Sequence, residues 1–296
     1  MKECVFKGVA TALITPFTKD YNIDFDALGK LIDFQLTSGT DALVILGTTA
    51  EASTLTDEEK QDICHFTLNR VQKKVPVIAG AGSNSTRKSI ELGKMLVSSG
   101  VDALLYVTPY YNKTNDEGLV RHFGAIAEEV KLPIILYNVP SRTGMNLSPE
   151  VCLELDSKYS NIVGIKEAGN DIRSVSKLHT LCGSDFMVYT GNDDLILPAL
   201  SCGAMGVISV LSNLIPSSVI SMCKSFFAGD EEATRVISEK YQNLISLLFC
   251  ETNPIPIKYA LSLIGICEET TRLPLWNMSD TNKEKLKQEL LKLHII

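Results

Sequence analysis

Eight short runs rich in Val, Ile and Leu recur along the chain, each followed by a longer segment of helical period, and this alternation leaves few folds open. The runs cover residues 9–15, 42–48, 75–80, 103–108, 134–138, 162–166, 186–190 and 206–210. They are nearly continuous in apolar residues, as strands covered on both faces must be. Strand–helix alternation builds a parallel sheet, and eight such strands close it into a cylinder. The expected fold is therefore α/β, a (β/α)8 TIM barrel.

Local signals mark the joints between units. Thr56-Asp57-Glu58-Glu59 has the form of a capping box, and Ser148-Pro149 sets a cap residue before proline at the first helical position. Ser38-Gly39-Thr40-Asp41-Ala42-Leu43 recurs as Ser99-Gly100-Val101-Asp102-Ala103-Leu104 and, more weakly, as Cys202-Gly203-Ala204-Met205-Gly206-Val207. In each, the glycine is expected to end a helix in a left-handed turn before a buried strand begins. A last barrel helix over 217–228 assigns residues 1–229 to a catalytic barrel and 230–296 to a C-terminal helical extension. Helices are expected there over 231–249, 256–264 and 283–293, punctuated by Asn253-Pro254 and Pro274. The rival doubly wound sheet lacks its nucleotide fingerprint: Gly80-Ala81-Gly82 is followed by Ser85 where a third glycine is required. Neither a P-loop nor a GxSxG elbow occurs.

Composition narrows the function. With 45% hydrophobic and 21% charged residues the chain has the make-up of an ordinary folded domain rather than a disordered one. Its 28 Lys and Arg against 35 Asp and Glu leave a net charge of −7, which disfavours nucleic acid as a partner. Eight cysteines without a CxxC pair and four histidines without an HxxxH pattern signal neither a metal site nor a redox dithiol, and fit the reduced thiols of a cytoplasmic protein. The first apolar stretch is ended by Thr15-Pro16, and no run approaches the ~18 apolar residues of a membrane span, so neither a leader nor a membrane segment is expected. The sequon Asn84-Ser85-Thr86 is accordingly expected to stay unglycosylated.

In such a barrel the chemistry sits at the C-terminal ends of the strands. Lys166 closes the run Ile162-Val163-Gly164-Ile165-Lys166, and a period of two places Ile162, Gly164 and Lys166 on one face, with Gly164 leaving room for a substrate. An ammonium buried without full pairing gives up its proton more readily, and the free amine can attack a ketone to form a Schiff base. A salt bridge from Lys166 to Glu167 or to another barrel carboxylate is the competing account. One strand earlier, Tyr137 stands where a phenol hydrogen-bonded to hydroxyls can relay protons, although a tyrosine at a strand end is ordinarily packing. Arg142 in the loop that follows offers a two-pronged guanidinium to a carboxylate, or is simply solvated. Gly47-Thr48-Thr49-Ala50-Glu51 ends the second run with hydroxyls and free N–H groups able to hold a small carboxylate, or is an ordinary Thr-rich turn. Adjacent Tyr110 and Tyr111 on a polar loop suggest an interface, with simple packing of the loop as the competing account.

Taken together these segments resemble the dihydrodipicolinate synthase family, within the class I aldolase group that includes N-acetylneuraminate lyase. The likeness runs from Gly8-Val9-Ala10-Thr11-Ala12 to Leu273-Pro274-Leu275. It is carried by Gly47-Thr48-Thr49-Ala50-Glu51, Val107-Thr108-Pro109-Tyr110-Tyr111-Asn112, Tyr137-Asn138-Val139-Pro140-Ser141-Arg142-Thr143-Gly144, Gly164-Ile165-Lys166-Glu167-Ala168, Gly206-Val207-Ile208-Ser209-Val210 and Asn253-Pro254-Ile255-Pro256-Ile257-Lys258. The resemblance implies that pyruvate forms an imine with Lys166, becomes an enamine and attacks L-aspartate 4-semialdehyde, giving 4-hydroxy-tetrahydrodipicolinate on the route to diaminopimelate and lysine. It implies a proton relay of Thr48, Tyr137 and Tyr111, the last donated across a dimer contact. Thr49 would hold the pyruvate carboxylate, Arg142 the second substrate, and Gly191 and the main chain of Ile208 would line the pocket. No cofactor or metal is implied, and a cytoplasmic homotetramer, a dimer of dimers, is.

Two departures from the family pattern stand out. Ala50 occupies a usual glycine position, which would strain the loop if a positive φ were needed there. Where feedback-inhibited relatives bind lysine, Asn84 and Tyr110 match, but Lys60 and Lys88 replace a usual histidine and glutamate and would repel a cationic effector. Lysine is therefore expected to inhibit weakly or not at all. The alternatives are a sister aldolase acting on sugar acids, against which Thr48, Thr49 and Arg142 argue, and a non-catalytic barrel, against which intact Lys166, Tyr137 and Thr48 argue.

Overall fold

In a computed structural model, which describes residue 2 and residues 4–296, the eight apolar runs form eight strands. They are β1 (Gly8–Ala12), β2 (Ala42–Ile45), β3 (Val77–Gly80), β4 (Ala103–Val107), β5 (Ile134–Asn138), β6 (Ile162–Glu167), β7 (Met187–Thr190) and β8 (Gly206–Ser209). Each pairs in parallel with its sequence neighbours, and β8 closes on β1, giving the expected barrel. Strand ends differ from expectation where side chains take over the ladder: past β1, the Ile14 N–H donates to Asn213 Oδ1 at 3.3 Å.

Alternation along the strands sorts their residues into two buried shells. Ala10, Ala42, Ala103, Leu105 and Tyr189 belong to a cluster that contains no helical residue and so fills the barrel. Val9, Leu43, Leu104 and Val188 cluster instead with helical side chains such as Leu31, Leu96 and Phe123, between barrel and helix ring. Small alanines inside let a narrow cylinder accommodate Tyr189, whose ring stacks on Phe6 with centroids 4.1 Å apart. The helix starts follow their caps: Thr56 Oγ1 accepts from the Glu59 N–H while Glu59 returns a bond to the Thr56 N–H, and Ser148 Oγ accepts from the Val151 N–H. Gly39, Gly100 and Gly203 all turn left-handed, with φ of 83°, 94° and 96°.

Beyond the barrel lie three helices, Glu231–Leu248, Ile255–Leu263 and Asp280–Lys292. Leu244, Leu261 and Leu286 from these helices sit in the same buried cluster as the outer faces of the strands, so one core runs through both parts of the chain. No helix among the described residues is long and apolar enough to cross a membrane.

The expected face of β6 needs correction. Ile134 pairs with Ile162, but the next β5 residue, Ile135, pairs with Gly164, so β6 carries one extra residue against β5. This β-bulge breaks the period of two: Ile162 faces the helices, while Val163 lies in the barrel interior. Gly164 is glycine for a different reason than substrate room. A Cβ there would lie 2.2 Å from the Met187 carbonyl oxygen on β7, a closeness only a missing side chain permits. Gly164→Ala is expected to lower the stability by about 2 kcal/mol or more, read as a reduced urea midpoint; an unchanged midpoint would contradict this packing account.

Candidate active site

Past the bulge the alternation resumes, with Ile165 facing the helices, and turns Lys166 inward near the C-terminal end of β6. It is buried, at 6% exposure, directly beside Tyr137 in the β5–β6 register. Its Nζ lies 4.6 Å from the centre of the Tyr137 ring, within cation–π range. Among the described residues no carboxylate stands within ion-pairing distance of this nitrogen. The rival pairing with Glu167 does not form. Both Glu167 oxygens accept from Asn138 Nδ2, at 3.1 and 3.0 Å, and Oε1 also accepts from the Gly169 N–H at 2.6 Å. Burial pushes the Glu167 carboxyl up, against the pull of those hydrogen bonds.

Lys166 opens onto a cavity of about 550 Å³ whose wall also contains Thr48, Thr49, Tyr137, Arg142, Gly191 and Asn253. Lys166, Thr48, Thr49, Tyr137, Arg142 and Gly191 are six of the eight residues singled out from sequence, delivered by strands β5 and β6 and by the loops after β2, β5 and β7, while Asn253 comes from the C-terminal segment. Gly191 is required beside the amine, because a Cβ would lie 2.8 Å from Lys166 Cε and 2.7 Å from Ala168 Cβ. A larger neighbouring cavity of about 780 Å³ shares Thr48, Tyr137, Arg142 and Asn253, and adds Lys60, Lys88 and Tyr110. In it Lys60 Nζ bonds Asp57 Oδ1 at 2.8 Å.

Two of the sequence-derived residues do not line the amine's cavity. Tyr111 is 92% exposed with φ of 70°, away from Lys166 within its own chain. Ile208 is wholly buried in the barrel interior, and Val210, two residues on, reaches the cavity wall instead.

The β2 loop owes its shape to partners far away in sequence. Ala50 is not among its left-handed residues; Leu46 (φ 55°) and Glu51 (φ 54°) are, so alanine for glycine carries no backbone strain. Glu51 is held in that conformation by a wholly buried ion pair, with Lys258 Nζ 2.5 Å from its Oε1 and the Arg272 N–H donating to Oε2 at 2.9 Å. Lys258 also donates to the Thr270 carbonyl at 2.8 Å and lies 4.1 Å from the centre of the Phe17 ring. Two residues before Glu51, Thr49 Oγ1 accepts from Asn253 Nδ2 at 3.0 Å. The Asn253 carbonyl in turn accepts from Arg142 Nη2 at 3.0 Å, so Arg142 is tethered rather than free in solvent.

Beneath the site lies one acid that sequence reasoning passed over. Asp193 is fully buried, and its Oδ2 accepts from the N–H groups of Val210 and Leu211 at 3.0 and 2.9 Å. Burial pushes its carboxyl up; hydrogen bonds from Ser209, Leu211 and Val210, and then the positive field of Lys166, work against the rise. Nothing in Gly191-Asn192-Asp193-Asp194 distinguishes it from an ordinary turn acid. Among the described residues no group of three or more His, Cys, Asp or Glu could hold a metal ion, and all eight cysteines are free.

A closed barrel with an unpaired primary amine turned into a cavity at the strand C-termini defines a class: enzymes that work through a lysine imine. The chain belongs to the dihydrodipicolinate synthetase family, whose model matches residues 5–293. It is 48% identical over 292 residues to the 4-hydroxy-tetrahydrodipicolinate synthase of Alkaliphilus oremlandii (strain OhILAs), covering 99% of this chain and 100% of that one. To the protein of the same name from Thermoanaerobacter sp. (strain X514) it is 47% identical over 292 residues, covering 99% and 98%. The crystal structure of the chloride-inhibited dihydrodipicolinate synthase from Acinetobacter baumannii complexed with pyruvate superposes with a TM-score of 0.96 at 41% identity, covering 98% and 99% of the two chains.

The brace on the β2 loop is testable. Lys258→Met leaves Glu51 buried and uncompensated, and is expected to cost about 3–5 kcal/mol of unfolding free energy. Glu51→Gln with Lys258→Met together should cost less than the two single losses added; strictly additive losses in denaturant titrations would mean that the pair does not interact.

Proposed function

We propose that the chain is a 4-hydroxy-tetrahydrodipicolinate synthase, condensing pyruvate with L-aspartate 4-semialdehyde at Lys166. The observation that carries this reading is the buried amine of Lys166, unpaired with any acid among the described residues and open to the cavity that Thr48, Thr49, Tyr137 and Arg142 surround. The names of its near-full-length relatives give the product, and the pyruvate bound to the Acinetobacter baumannii protein supports the first substrate.

In this reading the neutral amine adds to the C2 carbonyl of pyruvate, and the carbinolamine loses water to leave a protonated imine. That imine is the electron sink, so loss of a methyl proton gives an enamine without any further group. The enamine carbon then attacks the aldehyde of the second substrate, whose oxygen takes up a proton. The adduct is again a protonated imine of Lys166; its own amino group adds to C2, a proton moves to the lysine nitrogen, and Lys166 leaves as the free amine, giving the cyclic imine product. Tyr137, with its phenol over the amine, passes these protons together with Thr48. Thr49 and the adjacent N–H groups receive the pyruvate carboxylate, and Arg142 receives that of the semialdehyde. Gly191 keeps space beside the lysine, and Val210, in place of the Ile208 that the resemblance implied, borders the pocket.

Tyr111 completes the relay only from a second copy of the chain, and its 92% exposure suits that donation. The assembly proposed is a cytoplasmic homotetramer built from such dimers. Within each chain, residues 1–229 are the catalytic barrel and 230–296 an extension that closes the site through Asn253.

Borohydride reduction in the presence of pyruvate should add the mass of a reduced pyruvyl group to Lys166. Lys166→Ala should lose both the adduct and the condensation activity by about a thousandfold or more. An unmodified wild-type protein would refute the reading. Lys60 and Lys88 in the larger cavity predict that millimolar lysine leaves the activity nearly unchanged, whereas half-maximal inhibition below about 1 mM would contradict the charge argument.

A further inference from the structure

We infer that Asn253 is a positioning residue for both substrate carboxylates: its side chain fixes the Thr49 hydroxyl as a donor into the cavity, and its main chain holds Arg142 at the same opening. The inference rests on the reading of Lys166 as the attachment point of pyruvate.

A threonine hydroxyl has one hydrogen to give and two lone pairs to receive with. Thr49 is buried, at 3% exposure, and one of those lone pairs is taken by Asn253 Nδ2 at 3.0 Å. Among the described residues no acceptor takes the Thr49 hydrogen. Thr49 lines the Lys166 cavity, so its hydrogen is left for whatever occupies that space. A carboxylate oxygen is the matching acceptor, and a hydrogen bond to a charged oxygen is the stronger kind.

The other atoms of Asn253 point the same way. Its Oδ1 is buried and has no hydrogen-bond partner among the described residues, a feature that costs stability and is unneeded if the residue only fills space. Its carbonyl accepts from Arg142 Nη2 at 3.0 Å, and the residue lines both cavities together with Arg142. Five residues further on, Lys258 grips Glu51, so the segment 253–258 holds the β2 loop at two points. A single asparagine thereby sets the spacing between the two groups that receive carboxylates.

Asn253→Asp separates this role from packing, since it keeps the shape of the side chain while turning its donor into an acceptor. The aspartate would draw the Thr49 hydrogen to itself and place a negative charge beside the substrate carboxylate. The pyruvate concentration for half-maximal borohydride trapping on Lys166 should then rise about tenfold or more, with a smaller change in kcat at saturating pyruvate. The deficit should shrink as the pH falls and the aspartate is protonated. Asn253→Ala, which removes the donor without adding charge, should raise the same concentration less, and it carries the test should the aspartate variant fail to fold. A folded Asn253→Asp protein that traps pyruvate at wild-type concentrations would overturn the inference. Failure of the wild-type protein to trap pyruvate at all would instead overturn the reading of Lys166 beneath it.

Discussion

The structure turns on one ammonium or amine group, that of Lys166, kept inside a barrel mouth with an aromatic ring beside it and, among the described residues, no acid in pairing distance. Leaving a lysine buried without a counter-ion is costly, and the surroundings are arranged to keep it so. Glu167, the next residue, is turned away by the strand and occupied by Asn138 and Gly169. Asp193 turns its Oδ2 to the N–H groups of Val210 and Leu211. Gly191 leaves open the one side on which a substituent would press the lysine stem. What remains for the amine is the cavity.

Around that amine, the substrate-facing loops are held by the end of the chain rather than by the strands that precede them. The β2 loop bends left-handed at Glu51, a conformation that costs a non-glycine residue about 1–3 kcal/mol. The buried contact with Lys258 and the Arg272 N–H holds it there. Asn253 joins the same loop to Arg142, so a helical extension outside the barrel sets the geometry at its mouth.

Much of this was legible in the sequence, because the signals are local. Continuous Val, Ile and Leu runs marked all eight strands, Thr56 and Glu59 marked a helix start, and Gly39, Gly100 and Gly203 marked helix ends. Lys166, Tyr137, Thr48, Thr49, Arg142 and Gly191 were each identified before they could be seen to share one cavity. The bulge in β6 was not legible, since one extra residue in an apolar strand leaves no mark in composition. It reversed the facing of Ile162, and the need for Gly164 came from Met187 on the next strand. Asn253 was equally hidden: its bonds to Arg142 and Thr49 span 111 and 204 residues, beyond the reach of any pattern read along the chain.

The most direct measurement is a crystal structure of the protein soaked with pyruvate alone. Continuous density from Lys166 Nζ to C2 of the ligand, with the ligand carboxylate against Thr49 Oγ1, is the predicted result. Pyruvate bound elsewhere, or held by an intact ammonium with no bond to carbon, would contradict the account.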